Sequence, residues 1–263
     1  MRVFVGTCGF QYASWRGPFY PPAWPQKIWL SMLASQFPTV ELASSFYRVP
    51  SVATIDRWFQ SVPNGFVFSL KAHRLITHHY RLRDAEQALS GFWVRAERLG
   101  KKLGPILFQI PAFIKVDIPR LSQFISTLPV GIKAAFDFRD PSWFTGNVLD
   151  LLDRAGAAWV VSDRLGQKPR VLTTGGFGYV RLHQGQPDKP GYSQKQLARW
   201  ADRIVGFKLD TFVYFNNPAD AAAPEHAQAL TALLRERGAP VVEPPVILPK
   251  PWPKQLRLFP TNV

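Results

Sequence analysis

Cysteine, histidine, acidic residues and long apolar runs are all scarce in this sequence, and each shortage narrows its class. One cysteine in 263 residues, Cys8, excludes an internal disulfide and suits a reducing compartment. No apolar run follows basic residues near the start, and no stretch approaches the roughly 18 uncharged apolar residues of a membrane helix. The expectation is a soluble, cytoplasmic protein with no membrane partner. Five histidines give little support to a multi-zinc centre. A glycine-rich phosphate loop is missing too, because GTCG at residues 6–9 lacks both the spacing and the lysine. Acidic residues number 18 against 32 lysines and arginines, a net charge of +14 that favours polyanionic partners such as nucleic acid.

What is present is enough to bury one large core: 46% of residues are hydrophobic, with 20 Phe and 9 Trp. The stretch Lys133–Trp143, KAAFDFRDPSW, organises the rest. Strand alternation places Ala135, Asp137 and Arg139 on one face and Phe136 and Phe138 on the other. A carboxylate and a guanidinium sharing a face suit the mouth of a barrel better than an ordinary core. Seven other stretches read as strands: residues 2–8, 39–44, 66–71, 105–110, 158–163, 179–183 and 211–216. Helical patterns separate most of them, with Ser51, Asp117, a box of Asp84 with Gln87 and another of Ser193 with Gln196 as N-caps. The segment between the sixth and seventh strands is too broken by Gly, Pro and Thr for a regular helix. Eight strands alternating with about seven helices predict an α/β fold of the TIM (β/α)8 type with a degenerate sixth helix. One domain spans residues 1–240, and a Pro-rich tail spans 241–263.

The inward faces of these strands collect Glu41, Lys71, Gln109, Asp137, Arg139, Asp163, Arg181, His183 and Asn216. Such residues converge at the C-terminal mouth of a barrel, where this fold places its active sites. Three chemistries fit. Glu41, Asp137 and Asp163 suit acid–base work on a glycoside. Glu41, Asp137 and His183 are candidate ligands for Mg²⁺ or Mn²⁺ in phosphoester hydrolysis. Lys71, Arg139 and Arg181 suit a metal-free clamp on phosphate or carboxylate. The rim loops add Tyr12, Trp15, Tyr47, His78 and Trp143, flat groups interleaved with arginine as in sites that stack unpaired bases. About half of these aromatics are expected to form a loop mini-core instead.

The motifs GTCGFQYASW, FYPPAWP, TVELASSFYRVPS, FVFSLKAHRLITH, LGPILFQIP, FDFRDPSW, YVRLHQG and FVYFNN follow, in order, the pattern of the YecE-like family (domain of unknown function 72), which this sequence resembles across nearly all of residues 3–235. The resemblance implies a TIM barrel and supplies no established reaction. By analogy of fold and pocket it invites comparison with endonuclease-IV-like barrels and DNA repair. The chain departs from the pattern at Ala43, where Asn is usual, at Asp137, where Glu is commoner, and at Gln184, where Gly is usual. The leading expectation is a barrel that binds DNA or another phosphodiester at its mouth, with hydrolysis as an extension. A non-catalytic nucleic-acid-binding accessory protein and a glycosidase-like enzyme are the alternatives. Near the end, QLRLF resembles the pentapeptide with which bacterial replication and repair proteins bind the sliding clamp. Gln255 would make its polar contacts, and Leu256, Leu258 and Phe259 would fill an apolar groove.

Overall fold

Eight short strands rich in β-branched and aromatic residues pair in parallel and in sequence order, and the eighth returns to the first. They are β1 Val3–Cys8, β2 Thr39–Leu42, β3 Val67–Lys71, β4 Leu103–Ile110, β5 Ala134–Phe138, β6 Ala158–Ser162, β7 Phe177–Leu182 and β8 Asp210–Phe215. The computed structural model describes residues 1–164, 169–183, 191–216 and 221–246. Among these residues seven α-helices surround the strands: α1 Trp29–Gln36, α2 Val52–Ser61, α3 Glu86–Ala96, α4 Ile118–Ser126, α5 Gly146–Arg154, α6 Gln194–Phe207 and α7 Ala222–Glu236. Between β6 and β7 the described residues hold no helix. This is the (β/α)8 barrel expected from the alternation.

Local chemistry sets the helix starts. Ser51 accepts from the Thr54 amide, Asp117 from that of Arg120, and Ser193 forms a reciprocal capping box with Gln196. The expected box at Asp84 does not form. Asp84 has φ 46°, in the left-handed region, and α3 begins after Ala85 with no side-chain cap.

Alternation along each strand divides the packing in two. Outward residues such as Val5, Val40, Phe68, Phe108, Phe136 and Val213 join the helices in the larger core. Inward residues form a second cluster of Phe4, Leu107, Ala135, Ala158, Val160, Phe177, Tyr179, Phe212 and Tyr214. Phe4 stacks on Phe212 at 4.6 Å. Farther along the axis, Tyr214 and Tyr179 bond through their hydroxyls to Thr39 and Ser69, each at 2.8 Å. Gly6 lets β1 approach β2 closely, for a Cβ there would lie 2.1 Å from the Thr39 carbonyl oxygen. The N-terminal end of the barrel is closed by the start of the Pro-rich segment. Val3 donates to Pro240 O, Val242 donates to Val3 O, and Val242 packs on the inward cluster. Gln184, Gln255, Leu256, Leu258 and Phe259 lie outside the described residues.

Candidate functional site

Above the tyrosines the barrel axis becomes charged, because the last inward residues of β2, β3, β4, β5 and β7 are Glu41, Lys71, Gln109, Asp137 and Arg181. Glu41 on β2 is fully buried, and Arg181 on β7 grips it with two hydrogen bonds, Nε to Oε2 at 3.0 Å and Nη2 to Oε1 at 2.8 Å. Tyr179 Oη donates to Oε2 at 2.7 Å and Cys8 Sγ to Oε1 at 3.0 Å. Burial alone would raise the Glu41 pKa, but Arg181 and these bonds hold it below the usual carboxylate range. The Cys8 thiol is pushed up by burial and by Glu41, which makes it an inert donor.

Asp137 on β5 is the second buried carboxylate. Its Oδ2 lies 2.8 Å from Arg139 Nη2 and 3.5 Å from Arg181 Nη1, and its Oδ1 lies 3.6 Å from Arg164 Nη2. Burial opposes its charge, yet the three guanidinium groups keep it ionised. Gln109 Oε1 accepts from both Lys71 Nζ and Arg139 Nη2, each at 2.9 Å. Lys71 also lies over the Phe46 ring at 3.9 Å. Burial and the nearby Arg181 lower its pKa to about 8, so it stays charged at neutral pH. Four cations, Lys71, Arg139, Arg164 and Arg181, therefore face two carboxylates, an excess of two positive charges.

Several donors at this mouth have no partner among the described residues. They are Arg139 Nε, Ser162 Oγ, Arg164 Nε and His183 Nε2, which lie in or just beyond the C-terminal ends of β5, β6 and β7. Asn216 Nδ2 lies 3.1 Å from His183 Nδ1 and must donate to it. Burial, with Arg181 beside it, lowers the His183 pKa to about 3, so the ring is neutral and its proton sits on Nε2. A pocket of about 320 Å³ is lined by three of these residues, Arg139, Ser162 and Arg164, together with Arg170, Phe144 and Trp159 among others.

The remaining expected site residues fall elsewhere. Asp163 stands one residue beyond β6, and Ser162 takes the register position beside Arg181. Its carboxylate instead accepts from the His183 amide at 2.7 Å and the Tyr192 hydroxyl at 2.6 Å, fastening β7 to the approach to α6. Burial raises its pKa to about 6. Trp15 and Trp143 are fully buried. Trp143 stacks on Phe138 at 4.7 Å and donates to Ile114 O, while Trp15 packs with Tyr12, Phe19 and Tyr20. Neither tryptophan presents a face to a ligand. Tyr12 is half-buried and bonds to the Cys8 carbonyl. Tyr47 and His78 stand on the rim, joined through Phe46.

The metal set of Glu41, Asp137 and His183 does not fit. Both carboxylates are occupied by guanidinium groups, and among the described residues no three His, Cys, Asp or Glu side chains form a metal cluster. Sequence reasoning left Ser162, Tyr179 and Arg164 out of the site. Alternation counted from Ala158 and Phe177 points to the first two, whereas Arg164 reaches in from beyond a strand end and leaves no periodic signal.

The family described as "Protein of unknown function DUF72" matches residues 4–253. The chain belongs to this family. A DUF72 family protein from Thermotoga maritima superposes with a TM-score of 0.79 at 25% identity, covering 89% of this chain and 100% of that one. YunF of Bacillus subtilis is 27% identical over 269 residues, 88% of this chain and 94% of YunF. D-psicose 3-epimerase from Clostridium cellulolyticum H10 shares the fold alone, with a TM-score of 0.59 at 11% identity over 90% of this chain and 99% of that one. No helix among the described residues is long and apolar enough to cross a membrane.

Proposed function

We propose that this DUF72 barrel binds the phosphate of a phosphodiester or related ester at its C-terminal mouth, without a metal ion. The observation that carries the reading is the excess of cationic groups over carboxylates, with unpartnered N–H and O–H groups in or just beyond the adjacent ends of β5, β6 and β7. An anion placed there would gain charge-assisted hydrogen bonds worth roughly 1.5–3 kcal/mol each. Glu41 and Asp137 are both ionised and both engaged. Neither supplies the protonated acid that glycoside cleavage needs, nor a free base for a water nucleophile, and Asp163 has both oxygens engaged by the His183 amide and the Tyr192 hydroxyl. Binding, rather than hydrolysis, is the activity that this arrangement supports. The overall charge of +14 makes DNA or another nucleic acid the favoured class of phosphodiester.

Calorimetric titration with bis(4-nitrophenyl) phosphate at low salt tests the reading and reports hydrolysis in the same sample. Saturable binding that persists in EDTA and weakens about tenfold in Arg139→Ala and Arg164→Ala is expected. No binding, or binding only with added Mg²⁺ or Mn²⁺, would sink the reading.

The sliding-clamp reading of Gln255–Phe259 stays a second proposal. One observation favours it: Pro240–Val242 are pinned beside β1 at the N-terminal end of the barrel. The segment leading to the tail thus lies at the end of the barrel opposite the mouth.

A further inference from the structure

Large aromatic side chains on a soluble surface are usually covered, yet the rim beyond β2, β3 and β4 carries several in the open. Tyr47 is 70% exposed, Phe113 59% and Tyr80 40%. Tyr47 and Phe113 belong to one arc of ring contacts that starts at the mouth, and Tyr80 follows His78 and His79 in the loop after β3. Lys71 lies over Phe46, Phe46 meets His78 edge-on at 4.8 Å, and His78 meets Phe113 edge-on at 6.3 Å. Arg81 lies over Phe113 at 5.3 Å, and Tyr80 meets His79 at 5.0 Å.

The backbone beneath the arc is held in an unusual shape. Leu75–His79 form a π-helical turn, a form that is rare and often functional. Arg81, Leu82 and Asp84 follow with φ of 54°, 68° and 46°, left-handed values that cost non-glycine residues energy. Buried Ile76 and Leu82 anchor the loop, and the Leu82 amide donates to Ile76 O at 3.0 Å. A strained loop, pinned from below by two aliphatic side chains, presents its rings and arginine outward in a fixed arrangement.

We infer that this arc is a docking surface for single-stranded nucleic acid, whose unpaired bases stack on Phe113, Tyr80 and Tyr47 while a backbone phosphate enters the mouth. The inference rests on the phosphate reading of the mouth and names the class of ligand. Charge complementarity selects a polyanion, for Arg74, Arg81 and Arg83 lie in this loop and the chain as a whole carries +14. The exposed rings select unpaired bases, because a duplex keeps its base faces stacked inside and an acidic peptide has few to offer.

The test is fluorescence anisotropy with a labelled oligothymidylate of about twelve nucleotides, within the usual size of such sites. The wild-type protein is compared with Phe113→Ala and Tyr80→Ala, and bis(4-nitrophenyl) phosphate binding is measured on the same three proteins. The expected result is saturable oligonucleotide binding, weaker for a duplex of equal length, with a log–log salt slope of about −0.7 per phosphate neutralised. Each variant should bind the strand roughly tenfold more weakly while holding the small phosphodiester as wild type does. Strand binding that ignores both substitutions, or favours the duplex, overturns the inference and leaves the mouth reading intact. So does a protein that binds the small ester and no strand. Failure with both ligands removes the two readings together.

Discussion

Replacing Arg181 by methionine removes the guanidinium from a carboxylate that has no access to water. Glu41 would keep its bonds from Tyr179 and Cys8 and lose the bidentate pair at 2.8 and 3.0 Å. Breaking a buried ion pair from one side costs roughly 3–5 kcal/mol, because the remaining charge is left uncompensated. A chain of this size loses roughly 2 °C of Tm per kcal/mol, so the expected fall at pH 7 is about 6–10 °C. The pH dependence identifies the cause. In the wild type, Glu41 titrates below its unfolded value, so its contribution is present above that value and is lost as pH falls through the folded pKa. In the variant, burial without Arg181 raises the folded pKa above the unfolded one. Stability then falls as pH rises between the two, since the folded state holds the proton there. The gap in Tm between wild type and variant should therefore narrow as pH drops from 7 towards 4.5, measured by calorimetry across that range. The double variant Glu41→Leu with Arg181→Met should recover most of the loss, because no charge remains buried without a partner. A gap below about 1 kcal/mol, or one that does not change with pH, would refute the reasoning.

Lys71, with its pKa of about 8, makes anion binding at the mouth pH-sensitive. Affinity for bis(4-nitrophenyl) phosphate should fall as pH rises from 7 to 9 in the wild type, and Lys71→Arg should abolish that fall in the same titration. A peptide spanning residues 250–263, titrated against a bacterial sliding clamp, should bind in the micromolar range, about −8 kcal/mol at 1 μM. Changing Leu258 and Phe259 to Ala should remove that signal, and a flat titration of the unmodified peptide would end the proposal.

Much of the barrel was legible because it rests on a period of two. Alternation in FDFRDPSW turns Asp137 inward against Phe136 and Phe138, and the same count places Glu41, Lys71, Gln109 and Arg181 at one end of the barrel. The partner of each residue was not legible. Glu41 and Arg181 are 140 positions apart and meet only because the sheet closes. Asp163 falls on the phase of Trp159 and Val161, so alternation from Ala158 turns Ser162 inward in its place. Trp15 and Trp143 show a different limit. An aromatic ring buries roughly 150–250 Å², and in these loops that gain outweighs display to a ligand. Asp84 has the sequence of a cap and the wrong backbone angle, which no residue pattern reports. Arg164 enters the site by length of side chain rather than by place in a strand.

The central claim is that the excess cations at the mouth hold an anion without metal. A crystal soaked in tungstate, an electron-dense phosphate mimic, together with Mn²⁺ tests it most directly. The account predicts a tungstate ion within hydrogen-bonding distance of Arg139, Arg164 and His183 Nε2, and no Mn²⁺ on Glu41 or Asp137. Anomalous density for Mn²⁺ on those carboxylates, or a mouth without tungstate at saturating concentration, would contradict it.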